Sequence, residues 1–332
     1  MLAKRIALLA AAALALAAGP ALAQGAKPLD KTVLLLNWYV YSEHAPFFLG
    51  KERGYYRDEG IDLDIQEGRG SGVTVQAVAA GTAQFGYADV PTMIKAASKG
   101  APVTAVGVAL QTSPMSVMCF ADKHIDKPAD LKGKTVAVTP GDSMSQVWPL
   151  FLKKTNLKDG DFKTVAGDGQ TKLNAVINSQ ADCLLGYVMD QAIKLQDAVK
   201  KPVKPIRFAD YGVNMVSSGI IVNKDFLKNN EDLVKRFLRA TTRSMEEAAK
   251  NPDAAIEAML KAKPNSGVKD TAVVGMKNTA ALYKGPNDPS NRPLRVGAKN
   301  MSETLELLTE YGGVDKGSAG KAEDYYTNAY LP

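Results

Sequence analysis

Short apolar runs alternate with helix-like segments along the first third of the chain. Residues 32–36 form an apolar run that predicts a buried strand, and residues 43–58 carry a proline in their first turn, which is typical of a helix start. Ile61, Leu63 and Ile65 alternate with polar residues, as expected for a half-buried strand. This order of strand, helix and strand predicts an α/β fold with a mainly parallel sheet whose faces are covered by helices.

A second series of strands and helices follows between residues 130 and 197. Two prolines in residues 202–205 then predict a loop, and residues 233–248 have the periodicity of one long amphipathic helix. Because 332 residues exceed what one compact core usually contains, the repeated series predicts two lobes.

The first 23 residues have the pattern of a secretory signal peptide. Lys4 and Arg5 precede an apolar run of Ala and Leu, and the segment ends in Ala-Leu-Ala at Ala23. We therefore expect cleavage after Ala23 and a soluble periplasmic protein. Because Gln24 rather than a cysteine follows the cleavage site, no lipid anchor is expected.

Charge and histidine content exclude two classes of function. The chain has 41 Lys and Arg against 35 Asp and Glu, an excess of six that falls to four without Lys4 and Arg5. The remaining basic residues are scattered, so nucleic-acid binding is not expected. With only His44 and His124, a histidine-rich metal site is not expected either, and no cofactor is predicted.

The chain contains two cysteines, Cys119 and Cys183. An even number of cysteines in an oxidising compartment favours a disulfide over a metal site or a nucleophile. Two buried free thiols are the alternative that the sequence leaves open.

Four segments together resemble a known family of transport proteins: LNWYVYSEHAPFFLGKERGYYRDEGIDLDI, GRGSGVTVQAVAAGTAQFGYAD, KGAPVTAV and DLKGKTVAV. They resemble the solute-binding proteins of ABC transporters in the thiamine-pyrimidine and nitrate/sulfonate/taurine group. The resemblance implies a two-lobed Venus-flytrap fold of type II with a ligand cleft between the lobes. It implies lobes at 30–113 plus 216–332 and at 114–215.

The resemblance also implies how the lobes move and what they meet. Two crossover segments, 111–114 and 210–214, would act as hinges. The expected partners are a small-molecule ligand and the permease and ATPase subunits of an importer in the inner membrane, with the binding protein itself a monomer. In this lobe type the strands of Cys119 and Cys183 are neighbours, which makes a bridge between them geometrically plausible.

Lobe 1 supplies the first candidate ligand-binding residues. Asn37 and Trp38 follow the first strand, where an amide and an indole can face a cleft at the sheet edge. His44 lies at the presumed helix start, and Arg69 and Ser71 lie in the glycine loop GRGSG. The alternatives are a core position for Trp38, a surface or capping role for His44 and a solvated Arg69.

Lobe 2 supplies the opposing candidates, and one more comes from lobe 1. Ser143 begins a helix after a strand, while Tyr187 and Asp190 end another strand in GYVMD. Relatives that bind pyrimidines often carry an acidic residue where Asp190 stands. Asp89 follows a strand of lobe 1, and both Asp89 and Asp190 have helix capping as their alternative role.

These residues predict a periplasmic receptor for a small planar nitrogen heterocycle similar to an aminopyrimidine or a thiamine precursor. The alternative ligand is a small organic anion such as a sulfonate, taurine or an aromatic carboxylate, bound through Arg69, Ser71 and Ser143. A pyrimidine synthase of the same family is the alternative from another class. That enzyme carries a cysteine-rich iron motif and a lysine for pyridoxal phosphate, which two separated cysteines and an export signal do not favour. A partner of a membrane sensor kinase is a further possibility.

Overall fold

The computed structural model describes residues 28–284 and 292–332. The predicted signal peptide and its cleavage after Ala23 lie outside the described residues. Within the described part, no helix combines the length and the apolarity needed to cross a membrane.

A mixed sheet of five strands forms the first half of the molecule. Its strands are β1 (Asp30–Leu35), β2 (Ile61–Gln66), β3 (Phe85–Asp89), β4 (Val103–Val108) and β10 (Ser218–Asn223). They lie in the order β2-β1-β3-β10-β4. β1 is parallel to β2 and β3, whereas β10 is antiparallel to β3 and β4. This sheet and the helices on it are called lobe 1.

A second mixed sheet repeats this arrangement and forms lobe 2. Its strands are β5 (Met115–Phe120), β6 (Thr135–Val138), β7 (Lys163–Ala166), β8 (Cys183–Tyr187) and β9 (Val203–Arg207), in the order β7-β6-β8-β5-β9. The prediction of a loop over 202–205 is wrong, because Pro205 lies within β9. β9 is an edge strand, where the missing N–H of proline removes no ladder hydrogen bond on the open side.

Helices connect the strands of both lobes. They are α1 (Ala45–Glu52), α2 (Tyr55–Asp58), α3 (Ser71–Ala79), α4 (Val90–Ala97), α5 (Ser143–Lys154), α6 (Gly169–Ile177), α7 (Gln191–Val199), α8 (Lys224–Asn229), α9 (Glu231–Lys250), α10 (Pro252–Ala262), α11 (Lys269–Ala281) and α12 (Ala298–Glu310). The single helix predicted over 43–58 is divided into α1 and α2. The division lies at Gly54, whose φ of 78° is left-handed and ends the first helix.

Two segments connect the lobes, one after β4 and one after β9, and they lie side by side. The Ser217 N–H donates to the Leu110 carbonyl at 2.8 Å. The Ser113 N–H donates to the side-chain oxygen of Asn214 at 3.3 Å. The first crossing leads into β5, the fourth strand of the lobe 2 sheet, and the second leads into β10, the fourth strand of the lobe 1 sheet. Both strands are antiparallel to their neighbours.

Aromatic rings fill the core of each lobe. In lobe 1, Phe85 stacks on Phe237 of α9 with 3.8 Å between ring centroids. In lobe 2, Phe151 of α5 stacks on Phe208 at 4.1 Å, and Trp148 lies 5.4 Å from Phe151. Burial of each ring contributes about 2 kcal/mol. Stacked aromatic rings therefore stabilise the packing of both lobes.

A disulfide bond joins Cys119 of β5 to Cys183 of β8. The two residues are direct partners in the antiparallel ladder, and their Cα atoms are 4.4 Å apart. The bond closes a loop with a sequence separation of 64 residues, which includes β6, β7, α5 and α6. It therefore constrains most of the unfolded chain of lobe 2.

We expect reduction of this bond to lower the free energy of unfolding by about 4 kcal/mol, because a cross-link over such a loop removes chain entropy from the unfolded state. Urea unfolding with and without dithiothreitol measures the difference. The double variant Cys119→Ala/Cys183→Ala is the control, since its unfolding midpoint should not respond to the reductant. An equal midpoint for reduced and oxidised wild-type protein would contradict the expectation.

Candidate functional site

A narrow cleft between the two lobes collects polar and aromatic side chains from both. Lobe 1 contributes Asn37, Trp38, Tyr41, Gly70 and Ser71; lobe 2 contributes Asp142, Ser143, Met144, Lys172, Gly186, Tyr187, Asp190 and Gln191. The cavity has a volume of about 30 Å³, which holds only a few water molecules. The two lobes therefore lie close together around the cleft.

Trp38 stands at the edge of this cleft, directly after the strand β1 and its continuation. It is half-buried and contacts Tyr39 edge to face, with 5.5 Å between ring centroids. A Cβ at Gly169, the first residue of α6 in lobe 2, would lie only 2.9 Å from its indole ring. The indole therefore packs across the cleft against the opposite lobe, rather than within the core of its own lobe.

Asn37 is held by a chain of hydrogen bonds through His44. The backbone N–H of Tyr41 donates to Nδ1 of His44 at 3.4 Å, so Nε2 carries the proton and donates to Oδ1 of Asn37 at 2.7 Å. Nδ2 of Asn37 in turn donates to the Ser218 hydroxyl at 3.4 Å. These bonds hold the Asn37 amide in one orientation at the cleft.

His44 does not line the cleft, and its role as a ligand-binding residue stays a prediction. Its side chain is completely buried behind Asn37. Burial lowers the pKa of His44 to about 3, and the charge of Lys194 lowers it further in the same direction. The imidazole is therefore neutral, and its hydrogen bond orients the Asn37 amide.

A buried carboxyl group, Glu43, lies beside these residues and was not predicted. The hydroxyls of Tyr41 and Tyr87 both donate to it, the latter at 2.7 Å. Burial raises the pKa of Glu43 to about 7, although hydrogen bonds from Tyr41, Tyr87 and Ser218 act in the opposite direction. An acidic residue in a first helical turn is usually an exposed partner of the helix dipole, so its type and position gave no signal of burial.

The glycine loop before α3 contributes Ser71 but not Arg69. The backbone N–H groups of Gly68 and Gly70 donate to the carbonyls of Trp38 and Asn37, at 3.2 and 2.9 Å. This docks the two glycines against lobe 1 and turns the intervening Arg69 side chain to the exposed surface. Arg69 does not line the cleft, so its contact with a ligand stays a prediction.

Asp89 serves as a helix cap and is absent from the cleft lining, and a direct contact with a ligand stays a prediction. Its carboxylate accepts hydrogen bonds from the N–H and the hydroxyl of Thr92, at 3.0 and 2.8 Å, at the start of α4. Burial raises the pKa of Asp89 to about 6, against the effect of these bonds and of one from Ser217. The Ser71 hydroxyl accepts the Asp89 N–H at 3.1 Å.

Hydroxyl groups connect Asp89 to the opposite side of the cleft. The Ser217 hydroxyl donates to Asp89 at 3.1 Å and lies 3.2 Å from the Tyr187 hydroxyl. The Tyr187 hydroxyl is also 2.9 Å from that of Ser143. This hydroxyl chain runs from lobe 1 through the second connecting segment into lobe 2. Two of its members, Tyr187 and Ser143, line the cleft as the sequence predicted.

Asp190 lines the cleft and makes no capping bond to α7, so the structure departs from the helix-cap alternative. Nζ of Lys194 lies 2.7 Å from one of its oxygens, and the side-chain amide of Gln191 donates to the other. The carboxylate is 3% exposed. An anionic acceptor thus stands at the cleft with its orientation held from both sides.

Lys172 is a cleft residue that sequence reasoning missed. It lies in α6 and is 2% exposed, although lysine rarely occupies such positions. Its ammonium is 3.4 Å from Asp142, which caps the start of α5. A signal was present, because Lys172 adjoins Leu173 and stands three and four residues before Ala175 and Val176 on the buried face.

We expect Glu43→Gln to stabilise the protein at pH 8 but not at pH 4.5. The folded-state pKa of Glu43 lies above the unfolded value, so the unfolded state ionises first and stability is lost as pH rises from 4.5 to about 7. Above pH 7, this ionisation lowers the free energy of unfolding of the wild-type protein by about 3 kcal/mol. Because glutamine cannot ionise, the variant keeps this stability at pH 8.

Urea unfolding at a series of pH values tests this expectation. Glu306→Gln on α12 is the matched control, because Glu306 is exposed and its removal should leave the pH profile unchanged. Parallel pH profiles for wild-type protein and Glu43→Gln would contradict the expectation.

Known proteins resemble the chain in sequence and in fold. The chain is 26% identical over 291 residues to the formylaminopyrimidine-binding protein of Halalkalibacterium halodurans, with 87% of each chain covered. It is 27% identical over 237 residues to the 4-amino-5-hydroxymethyl-2-methylpyrimidine phosphate synthase of Legionella pneumophila, covering 71% of this chain and 74% of the synthase.

Among solved structures, the alkanesulfonate-binding protein SsuA from Xanthomonas axonopodis pv. citri, bound to MOPS, is similar in fold. The TM-score is 0.68 at 13% identity, covering 91% of this chain and 99% of SsuA. This similarity and the two five-stranded sheets confirm the predicted two-lobed fold of periplasmic binding proteins.

The family model described as NMT1/THI5 like matches residues 41–255, which is more than half of the chain. The match includes most of the segments that carried the resemblance in the sequence, as well as the cleft residues of lobe 2. The predicted relationship is thereby confirmed, and the chain belongs to the NMT1/THI5-like family.

Proposed function

We propose that the chain is the solute-binding component of an ABC importer and that it binds a small planar nitrogen heterocycle resembling an aminopyrimidine. The observation that carries this proposal is the position of Trp38, a flat aromatic surface facing polar groups of the other lobe across the cleft. The formylaminopyrimidine-binding relative, which matches most of this chain, supports the same ligand class.

The two sides of the cleft offer complementary contacts to such a ring. Stacking on Trp38 would hold its face. The Asp190 carboxylate would accept from an exocyclic amino group, and the hydroxyls of Ser143 and Tyr187 would bond to ring nitrogens or to an oxygen substituent. Asn37 would add an amide that donates and accepts.

The alternative function, binding of an organic anion, is less well supported because the residue expected to hold the anion lies outside the cleft. Arg69 was the residue proposed to make a bidentate contact with a sulfonate or carboxylate, and its side chain is exposed outside the cleft. Ser71 and Ser143 remain in the cleft, but their hydroxyls lack the positive charge of the guanidinium that was expected to pair with the anion. The heterocycle is therefore the ligand class that we favour.

We propose a binding role rather than catalysis, although relatives include pyrimidine phosphate synthases. Cys119 and Cys183 are the only cysteines of the chain and are bonded to each other, so they do not offer the thiols of a cysteine-rich iron motif. The cleft residues named above suit recognition of a ligand, and every contact assigned to them is a hydrogen bond or a stacking contact.

The remaining parts of the proposal concern location and partners. The mature protein would be periplasmic and monomeric after cleavage at Ala23. Its lobes, at 30–113 plus 216–332 and at 114–215, would close by bending at 111–114 and 210–214. A permease and its ATPase in the inner membrane would receive the closed, loaded form.

Tryptophan fluorescence provides a direct test with an internal control. The chain has two tryptophans, Trp38 at the cleft and Trp148 in the core of lobe 2. We expect 4-amino-5-hydroxymethyl-2-methylpyrimidine or its formylamino analogue to quench Trp38. The variant Trp148→Phe should retain this quenching, and Trp38→Ala should lose it.

Calorimetric titration of the same variants gives the affinity. Trp38→Ala should bind about 10- to 100-fold more weakly, because stacking of a base on an aromatic side chain contributes roughly 1–3 kcal/mol. The role as a pyrimidine receptor would be refuted if a sulfonate bound and pyrimidines did not, with affinity unaffected by Trp38→Ala.

A second prediction concerns closure of the lobes. A Cβ on Gly72 would lie 2.9 Å from the backbone carbonyl oxygen of Gly141 in the opposite lobe. We expect Gly72→Ala to weaken ligand binding about tenfold while stabilising α3 by up to about 1 kcal/mol, since alanine is the better helix former.

Affinity and the unfolding midpoint should therefore change in opposite directions for Gly72→Ala. Gly160→Ala is the control, because its added methyl group would meet no atom within 4 Å. Unchanged affinity for Gly72→Ala would show that the close contact with Gly141 does not limit binding.

A further inference from the structure

Lys172 is a buried cation whose donors are not all used within the protein. Its Nζ donates to the Leu185 carbonyl in β8 at 2.8 Å and lies 3.4 Å from Oδ2 of Asp142. An ammonium group has three N–H donors, so one remains. Because Lys172 itself lines the cleft, the third donor is available to whatever the cleft encloses.

The same ammonium lies over Trp38, the residue proposed to stack on the ligand. Nζ is 5.3 Å from the centroid of the indole ring, within the range of a cation–π contact. The positive charge of Lys172 therefore already lies over the face of Trp38 on which a cationic ligand would stack. A neutral ring has no such conflict.

Two carboxylates lie at this part of the cleft, and each is already paired with a cation of the protein. Oδ1 of Asp142 accepts the Ser145 N–H at 2.7 Å, and its other oxygen faces Lys172. Asp190 is paired with Lys194. Both anions are thus engaged by groups of the protein, and neither is free to compensate a second cation beside Lys172.

Building on the proposed function, we propose that Lys172 selects the ligand by charge. The site takes a neutral or anionic heterocycle that presents an acceptor atom, such as a ring nitrogen, a carbonyl or a phosphate oxygen, to the third N–H of Lys172. It rejects heterocycles that carry a permanent positive charge, even when they contain the same aminopyrimidine.

Two ligands of equal size test this selection. One is an aminopyrimidine joined to a quaternary thiazolium ring, and the other is the same pyrimidine joined to a neutral thiophene ring of the same shape. We expect calorimetric titration of the wild-type protein to show at least about tenfold tighter binding of the neutral conjugate. The reason is that the Lys172 ammonium and the thiazolium ring repel each other in a desolvated site.

Lys172→Gln should reduce this ratio to less than about threefold, since glutamine keeps one donor but has no charge. Lys172→Met, of similar length and without a donor, should also abolish the ratio and weaken the neutral conjugate further. Lys163→Gln, at an exposed lysine of β7 in the same lobe, is the matched control and should keep the wild-type ratio. Urea unfolding confirms that each variant is folded before titration.

The outcomes separate this proposal from the proposed function. Equal affinity of wild-type protein for the two conjugates, or an unchanged ratio in a folded Lys172→Gln, overturns charge selection while leaving a pyrimidine receptor intact. If 4-amino-5-hydroxymethyl-2-methylpyrimidine and both conjugates all fail to bind, the proposed function falls and the charge selection falls with it.

Discussion

Close approach of backbone to backbone between the lobes is the constraint on which the site depends. Gly141 of lobe 2 lies so near α3 that a Cβ on Gly70 or Gly72 would come within 3.0 or 2.9 Å of its carbonyl oxygen. Gly169 allows a similar approach to Trp38. Glycine at these positions lets the two sides of the cleft meet with almost no intervening space. Any larger residue there would hold the lobes apart.

This closeness means that cleft groups satisfy one another when the lobes are shut. Tyr187 bonds to Ser143 and Ser217, and Asp190 bonds to Lys194 and Gln191. A ligand therefore exchanges its own hydrogen bonds for these, and the net gain from each exchange is small. Stacking on Trp38 and a bond to the third donor of Lys172 would then contribute most of the net affinity.

The sequence predicted the elements of the site better than the direction of its side chains. The end of β1, the start of α5 and the end of β8 were all identified from strand and helix periodicity, and Asn37, Trp38, Ser143 and Tyr187 do line the cleft. Such positions follow from topology, because residues just beyond the strand ends of an α/β sheet face the cleft.

Three predicted site residues lie outside the cleft lining, at places where tertiary contacts decide the orientation of the side chain. His44 and Asp89 turn inward because each bonds to groups distant in sequence or to its own helix start, and Arg69 turns outward because its glycine neighbours dock on lobe 1. Lys172 was missed because residue type alone suggests an exposed side chain. Only the carbonyl of Leu185 and the carboxylate of Asp142, contributed by other elements, make its burial favourable.

The second connecting segment contacts both the first connecting segment and the residues of the site. Ser217 bonds through its backbone to Leu110 of the other crossing segment, and through its hydroxyl to Asp89 and Tyr187. Its neighbour Ser218 accepts from Asn37. These bonds connect both lobes to one crossing segment. A ligand that displaced Tyr187 or Asn37 would therefore disturb contacts of that segment without acting through the core of either lobe.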